Sequence, residues 1–159
     1  MLYAGIVVVF VALDQIVKYL VRANIALGEV VDFIPHVLGL SYIQNTGAAF
    51  SILSTHTWLL TLISSIASVG IAVAIRKNVF RHRAGKIILS FILAGAVGNL
   101  IDRALFGFVT DMFKTLFMNF AVFNVADICV VCGGIAMIVY VLCFYDKLEG
   151  TDGNRPAES

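Results

Sequence analysis

Asp111 and Asp127 are two carboxylates set at the edges of strongly apolar segments. Ionisable side chains at membrane depth are rare unless they have a task. Two acids brought close together resist double ionisation and share one proton. One member can then take a proton from water while the other donates one, and hydrolysis of an amide needs both steps. The pair can act only if the surrounding chain folds the two carboxylates together.

The composition says what must do the positioning. Of the 159 residues, 60% are hydrophobic, above the about one half usual in soluble domains, so an integral membrane protein is expected. The net charge of +1 leaves no basic footprint for nucleic acid. Four apolar runs, residues 2–21, 57–75, 87–106 and 125–145, are each long enough to cross a hydrocarbon core of about 30 Å. Runs of that length in lipid mean helices, whose backbone groups are satisfied internally. Residues 22–56 are too polar to span. They hold two β-like stretches, Val30–Ile34 and residues 38–44, broken by Pro35 and Gly39. Residues 106–124 are expected to form a loop. The predicted fold class is an all-α membrane protein with four transmembrane helices and a small extracytoplasmic β-sheet segment. It forms one domain over residues 1–145, with the surface segment at about 22–56. Residues 146–159 are expected to be a loose polar cytoplasmic tail. The first run lacks a basic leader and a small-x-small site and carries Asp14 and Lys18, so it is expected to be retained rather than cleaved.

Orientation follows from the short loops. Arg76, Lys77, Arg81, Arg83 and Lys86 cluster between the second and third runs, and the positive-inside rule puts that loop in the cytoplasm. Both termini then face the cytoplasm, and the β-like segment and residues 106–124 face outward. Trp58 is an expected interfacial anchor at the outer end of the second helix. At the helical rise, Asp14 and Lys18 lie about 20 and 26 Å above the inner end of the first helix, and Asp102 about 24 Å above Lys86. Asp127 lies about 27 Å above Tyr145. Asp14, Lys18, Asn99, Asp102, Arg103 and Asp127 therefore share the outer third of the membrane, with Asp111 just beyond.

Each of these residues has a plainer role open to it. Asp14 and Lys18, four apart with the acid first, are either an ion pair locking the first helix or part of a site. Asp102 and Arg103 could be a helix-end pair with Arg103 snorkelling. Gly95, Gly98 and Asp102 lie on one stripe where small residues let a helix approach, with Asn99 bonding across the contact. Asn124 can cap the fourth helix, which places Asp127 at its third position. Cys129-x-x-Cys132 has redox or metal spacing, but inside a spanning helix it is expected to pack.

Five ordered motifs sharpen the picture. They are Asp14-x-x-x-Lys18; Asn45-Thr46-Gly47-Ala48-Ala49-Phe50-Ser51; the run from Ala94 through Gly95, Gly98, Asn99 and Asp102 to Arg103; Val109-Thr110-Asp111; and Phe123-Asn124-Val125-Ala126-Asp127. Together, over roughly residues 1–145, the chain resembles bacterial lipoprotein signal peptidases, also called signal peptidase II. Ala94, Thr110, Met112 and Ile128 depart from the residues usual in that family. The resemblance implies an aspartic endopeptidase of the bacterial inner membrane. Such an enzyme removes the signal peptide from a diacylglyceryl-modified prolipoprotein, cutting just before the lipidated cysteine. It implies Asp111 and Asp127 as the catalytic pair. Asp14, Lys18, Asn45, Gly98, Asn99, Asp102, Arg103 and Asn124 match positions that support the site or bind substrate. Expected partners are lipidated prolipoproteins, membrane lipid and globomycin-type inhibitors. No nucleic acid, metal or cofactor is expected, and the working unit is expected to be a monomer.

With Asn124 as a cap, the helix dipole should hold charge on Asp127 and leave the proton on Asp111. The Asn45–Ser51 turn is expected to shield the site from water. Three rivals compete. One is a Ser51–Lys18 dyad, which leaves both acids unexplained. The second is a proton-coupled transporter, although the charges gather at one face instead of crossing the membrane. The third is an assembly subunit whose ion pairs only fix packing. His36, His56 and His82 are scattered and form no zinc motif.

Overall fold

The first helix is built inside out. Along α1 (Leu2–Asn24) the buried residues are Asp14, Lys18 and Val21, one stripe at i, i+4 and i+7. Val8, Ile16, Tyr19 and Leu20 stand exposed on the other faces. In water this arrangement would be costly. In lipid it is the favourable one, because apolar side chains belong outside and polar groups must find partners within the bundle.

The computed structural model describes residues 1–47 and 57–150. After α1 come strands β1 (Val30–Ile34) and β2 (Leu38–Asn45), then helices α2 (Thr57–Arg76) and α3 (Arg83–Phe106). Strand β3 (Val109–Thr115) follows, then α4 (Val125–Val139), a π-helical turn at Tyr140–Phe144, and α5 (Tyr145–Glu149). Among the described residues, four helical stretches are long and apolar enough to cross a membrane: Leu2–Asn24, Thr57–Arg76, Arg83–Phe106 and Val125–Glu149.

Helix α3 is the centre of the bundle and packs on α1, α2 and α4. Its glycines make that possible. A Cβ on Gly95 would collide with the Ala126 carbonyl and with Val130, and one on Gly98 would stand 2.7 Å from Asp14 Oδ2. The small-residue stripe is thus a close helix contact, as its spacing predicted. Helix α3 starts at His82, whose ring nitrogen accepts from Ala84 N–H, and stops at Gly107 with φ 77°. That left-handed cap turns the chain straight into β3.

The sheet has three antiparallel strands in the order β1-β2-β3. The first two strands lie where their alternation predicted them. The third corrects the expectation of a plain loop over residues 106–124. Val109, Thr110, Asp111 and Met112 are all buried, so β3 lacks the apolar/polar alternation that marks a half-exposed strand. It pairs with β2 in the register Ile43↔Asp111, Gln44↔Thr110 and Asn45↔Val109. The chain then returns, and Phe123 clips back onto β3: Met112 N–H and Phe113 N–H both donate to its carbonyl. This clip sets Asn124 beside Asp111.

The far end of α3 is closed by aromatics. Phe80 meets Tyr140 and Tyr145 edge-on and lies over Gly85. Here the expected loose tail from residue 146 gives way to helix through Glu149. The Glu149 carboxylate accepts from Arg81 N–H, His82 N–H and the Tyr140 hydroxyl, so the segment docks on the start of α3. Cys129, Cys132 and Cys143 are all free thiols.

Candidate active site

Five elements converge at the sheet end of the bundle. Helix α1 brings Asp14, Gln15, Lys18 and Arg22. Helix α3 brings Asn99, Asp102 and Arg103. Strands β2 and β3 bring Asn45 and Asp111, and the start of α4 brings Asn124 and Asp127.

The start of α4 is a capping box. Asn124 Oδ1 accepts from Asp127 N–H at 2.8 Å, and Asp127 Oδ2 accepts from Asn124 N–H at 3.1 Å. Two orphan donors of the first turn are thereby satisfied reciprocally. A third is satisfied from another helix: Asp14 Oδ1 accepts from Ala126 N–H at 2.9 Å. Asp14 thus ties α1 to the start of α4 as well as pairing with Lys18.

The cap decides which way the Asn124 amide points. Its oxygen is taken, so its Nδ2 faces outward and donates to Asp111 Oδ1 at 2.7 Å and to Asn99 Oδ1 at 3.1 Å. Asn45 is oriented in the same manner. Its Oδ1 accepts from Gly47 N–H, and its Nδ2 donates to Asp111 Oδ2 at 2.9 Å. Asn45 is two residues past Ile43, the cross-strand partner of Asp111, so both side chains lie on one sheet face as diagonal neighbours. Asn99 is oriented by Lys18, whose ammonium donates to Asn99 Oδ1 at 2.9 Å. That leaves Asn99 Nδ2 to donate to Asp127 Oδ1 at 2.7 Å. An ammonium can only donate, so Lys18 sets the direction of the Asn99 amide that lies between it and Asp127.

One residue, Asn124, therefore bonds both carboxylates: Asp111 through its side chain and Asp127 through its backbone. Asp111 is nearly solvent-free at 2% exposure. Burial drives its pKa up, and repulsion from Asp127 adds to the rise. The Asn45 and Asn124 amides and the Lys18 charge pull the other way, and the net position is about 6.

Beneath the acids lies a buried charge cluster. Lys18 Nζ is 2.9 Å from Asp14 and 3.5 Å from Asp102. Asp102 also faces Arg22 at 3.6 Å and accepts from Thr110 N–H at 2.8 Å. The helix-end pairing of Asp102 with Arg103 is not formed. Consecutive residues point to different sides of a helix, and Arg103 Nη2 instead donates to Gly47 O at 3.3 Å. Gly98 contributes through its backbone, its carbonyl accepting from Gln15 at 3.0 Å.

All ten expected residues thus gather at one place. The sequence reading passed over Gln15 and Arg22. A polar residue beside Asp14 and a cation in the last turn of an otherwise apolar helix were the available signals. Residues 48–51 of the Asn45–Ser51 turn, and Ser51 of the rival dyad, lie outside the described residues. Lys18, the other half of that dyad, is committed to Asp14, Asp102 and Asn99.

Comparison with known proteins decides the family. The model of signal peptidase (SPase) II matches residues 6–143. The chain belongs to the signal peptidase II family. Among its relatives, the lipoprotein signal peptidase of Enterococcus faecalis is 45% identical over 140 residues, covering 88% of this chain and 87% of that one. The lipoprotein signal peptidase of Streptococcus pneumoniae is 41% identical over 139 residues, covering 87% and 91%. A bacterial membrane enzyme solved by the in meso method at 2.3 Å resolution superposes with a TM-score of 0.85 at 29% identity, covering 97% of this chain and 94% of that one. Membership of the signal peptidase II family matches the motif order.

Proposed function

We propose that this chain is a membrane-embedded aspartic endopeptidase that removes signal peptides from prolipoproteins, with Asp111 and Asp127 as its acid/base pair. The observation that carries the assignment is the Asn124 bridge, which couples both carboxylates to one residue.

Asp127 sits at the third position of α4 and accepts from two N–H groups, both of which support a negative charge, as does the helix dipole. It is the member that takes a proton from water. Asp111 holds the shared proton, hydrogen-bonds the scissile carbonyl and then helps protonate the leaving amine. Asn45, Asn99 and Asn124 orient the carboxylates. Asp14, Lys18 and Asp102 hold the helices that carry them. Arg103 faces the same space from α3.

The substrate is a prolipoprotein whose cysteine carries a diacylglyceryl group, cut just before that residue. Acyl chains kept in the bilayer hold the scissile bond at the interface. The network supports this depth, because it sits at the ends of α1 and α3 and the start of α4. The basic residues between α2 and α3 lie at the opposite end of the bundle and support a cytoplasmic position there. The sheet is then extracytoplasmic, both termini and a short polar tail are cytoplasmic, and the membrane is the bacterial inner membrane. The proposed working unit is a monomer. Globomycin-type antibiotics fit the same reading as inhibitors at this site.

The deciding experiment is incubation of the purified protein with a diacylglyceryl-modified prolipoprotein, followed by mass spectrometry. A signal fragment ending immediately before the lipidated cysteine is expected. A cut elsewhere, or cleavage only of unlipidated precursor, would overturn the substrate assignment.

The pH dependence is a separate check. A carboxyl with a raised pKa keeps its proton further up the scale, so neutral Asp111 is lost as pH rises through about 6. The profile of kcat/KM should therefore fall on its alkaline side in that region and fall again in acid as the charged partner is protonated. A flat profile between about pH 4 and 9 would count against a shared proton.

A further inference from the structure

We propose that Arg22 and Thr110 form a clamp that positions Asp111 without touching substrate. Thr110 directly precedes Asp111 and is fully buried. It is gripped at two points: its N–H donates to Asp102 Oδ2 at 2.8 Å, and its Oγ1 accepts from Arg22 Nη1 at 2.8 Å. Arg22 is itself held by three elements. It stands in the last turn of α1 and lies 3.6 Å from Asp102 Oδ1. Its guanidinium also covers the ring of Phe106, the last residue of α3, at 4.6 Å. One planar cation thus joins the ends of α1 and α3 to the start of β3. A lysine cannot stack and donate in this way at once.

The strand geometry explains why the clamp matters for Asp111. Successive side chains point to opposite faces of a strand. Thr110 faces the helices, and Asp111 faces Asn45 and Asn124. Any roll of β3 about its axis at Thr110 therefore swings the Asp111 carboxylate. The pairing with β2 is regular from Val109 to Asp111 and breaks in a bulge just beyond, between Leu40 and Ile43, so the sheet holds Asp111 from one side only. The Asn45 and Asn124 amides are fixed by their own backbone partners, so a displaced carboxylate loses their hydrogen bonds. The Arg22–Thr110–Asp102 grip, anchored on two helix ends, fixes the strand from the helix side.

This inference rests on the proposed role of Asp111 as the proton-holding acid. The test measures kcat, KM and pH profile for the purified full chain on a diacylglyceryl-modified prolipoprotein. Thr110→Val keeps the volume and removes the acceptor. Arg22 is 19% exposed, so water can take the freed donor and the fold should survive. Thr110→Val and Arg22→Lys are each expected to lower kcat about tenfold, the scale of a small misplacement of a reacting group. KM should stay within about twofold, as for an interaction that serves the transition state only. The alkaline limb should move, because the distance between the two acids changes. The double variant should lose no more than the stronger single one, since both break the same clamp. Multiplicative losses, a change in KM alone, or wild-type kcat in Thr110→Val would overturn the proposal. If Arg22→Lys fails to fold, Thr110→Val decides alone through kcat and the pH limb. Asp111→Asn runs alongside. Wild-type cleavage by Asp111→Asn would sink the aspartic reading itself. An inactive Asp111→Asn with a normal Thr110→Val would sink only the clamp.

Discussion

Asp127→Asn is expected to lower cleavage of a lipidated prolipoprotein by at least about 10³-fold, within the range that a positioned acid/base group contributes. The substitution is nearly isosteric. It removes the charge that activates water and leaves a group that cannot accept a proton. The cost to folding should be small. Asp127 accepts from Asn99 Nδ2 and Asn124 N–H, and an amide keeps one acceptor oxygen, so one weakened bond costs about 1 kcal/mol. Asn124 Oδ1 still caps Asp127's backbone N–H. The check pairs a cleavage assay with thermal unfolding in detergent. Loss of activity without loss of fold supports a chemical role, whereas a folded variant that still cleaves refutes it. The same result separates the rivals: a transporter would lose ion flux, and an assembly subunit would lose its partner complex.

Lys18→Met should have the largest effect on stability. Lys18 has no exposed surface and neutralises Asp14 and Asp102, which are also buried. Removing one partner from such a cluster leaves uncompensated charge in a dry interior and typically costs about 3–5 kcal/mol. Arg22 reaches Asp102 only at 3.6 Å and cannot replace an ammonium that also serves Asp14. The loss should spread to the acids. Without the Lys18 donor, Asn99 Oδ1 keeps only its bond from Asn124, so the amide that serves Asp127 is free to turn. Asp14 also holds Ala126 N–H at the start of α4, so its protonation or movement loosens that helix. A thermal midpoint lowered by several degrees, together with lost cleavage, is the expected outcome. An unchanged midpoint would mean that the cluster is already neutral or hydrated.

Four spans, a cluster of polar residues at one membrane depth, and the cap on α4 were legible from the amino-acid sequence. Each depends on quantities that are local along the chain. Summed apolarity marks a span, the helical rise sets depth, and Asn124 lies three residues from Asp127. The two β-like stretches were visible for the same reason, through alternation within a few residues. Strand β3 was not, because its first four residues are buried on both faces and no period of two survives. The partners of Asp102, Lys18 and Arg22, could not be read from the sequence because both lie on another helix far away in the chain.

Residue types and order alone were enough to name Asp111 and Asp127 as a pair. What joins them came only from tertiary structure: β3 registering on β2, Phe123 folding back onto Phe113, and Lys18 fixing the direction of the Asn99 amide that serves Asp127. An amide can point either way until a neighbour remote in sequence claims one end, and a helix face acquires its partner only when the bundle closes.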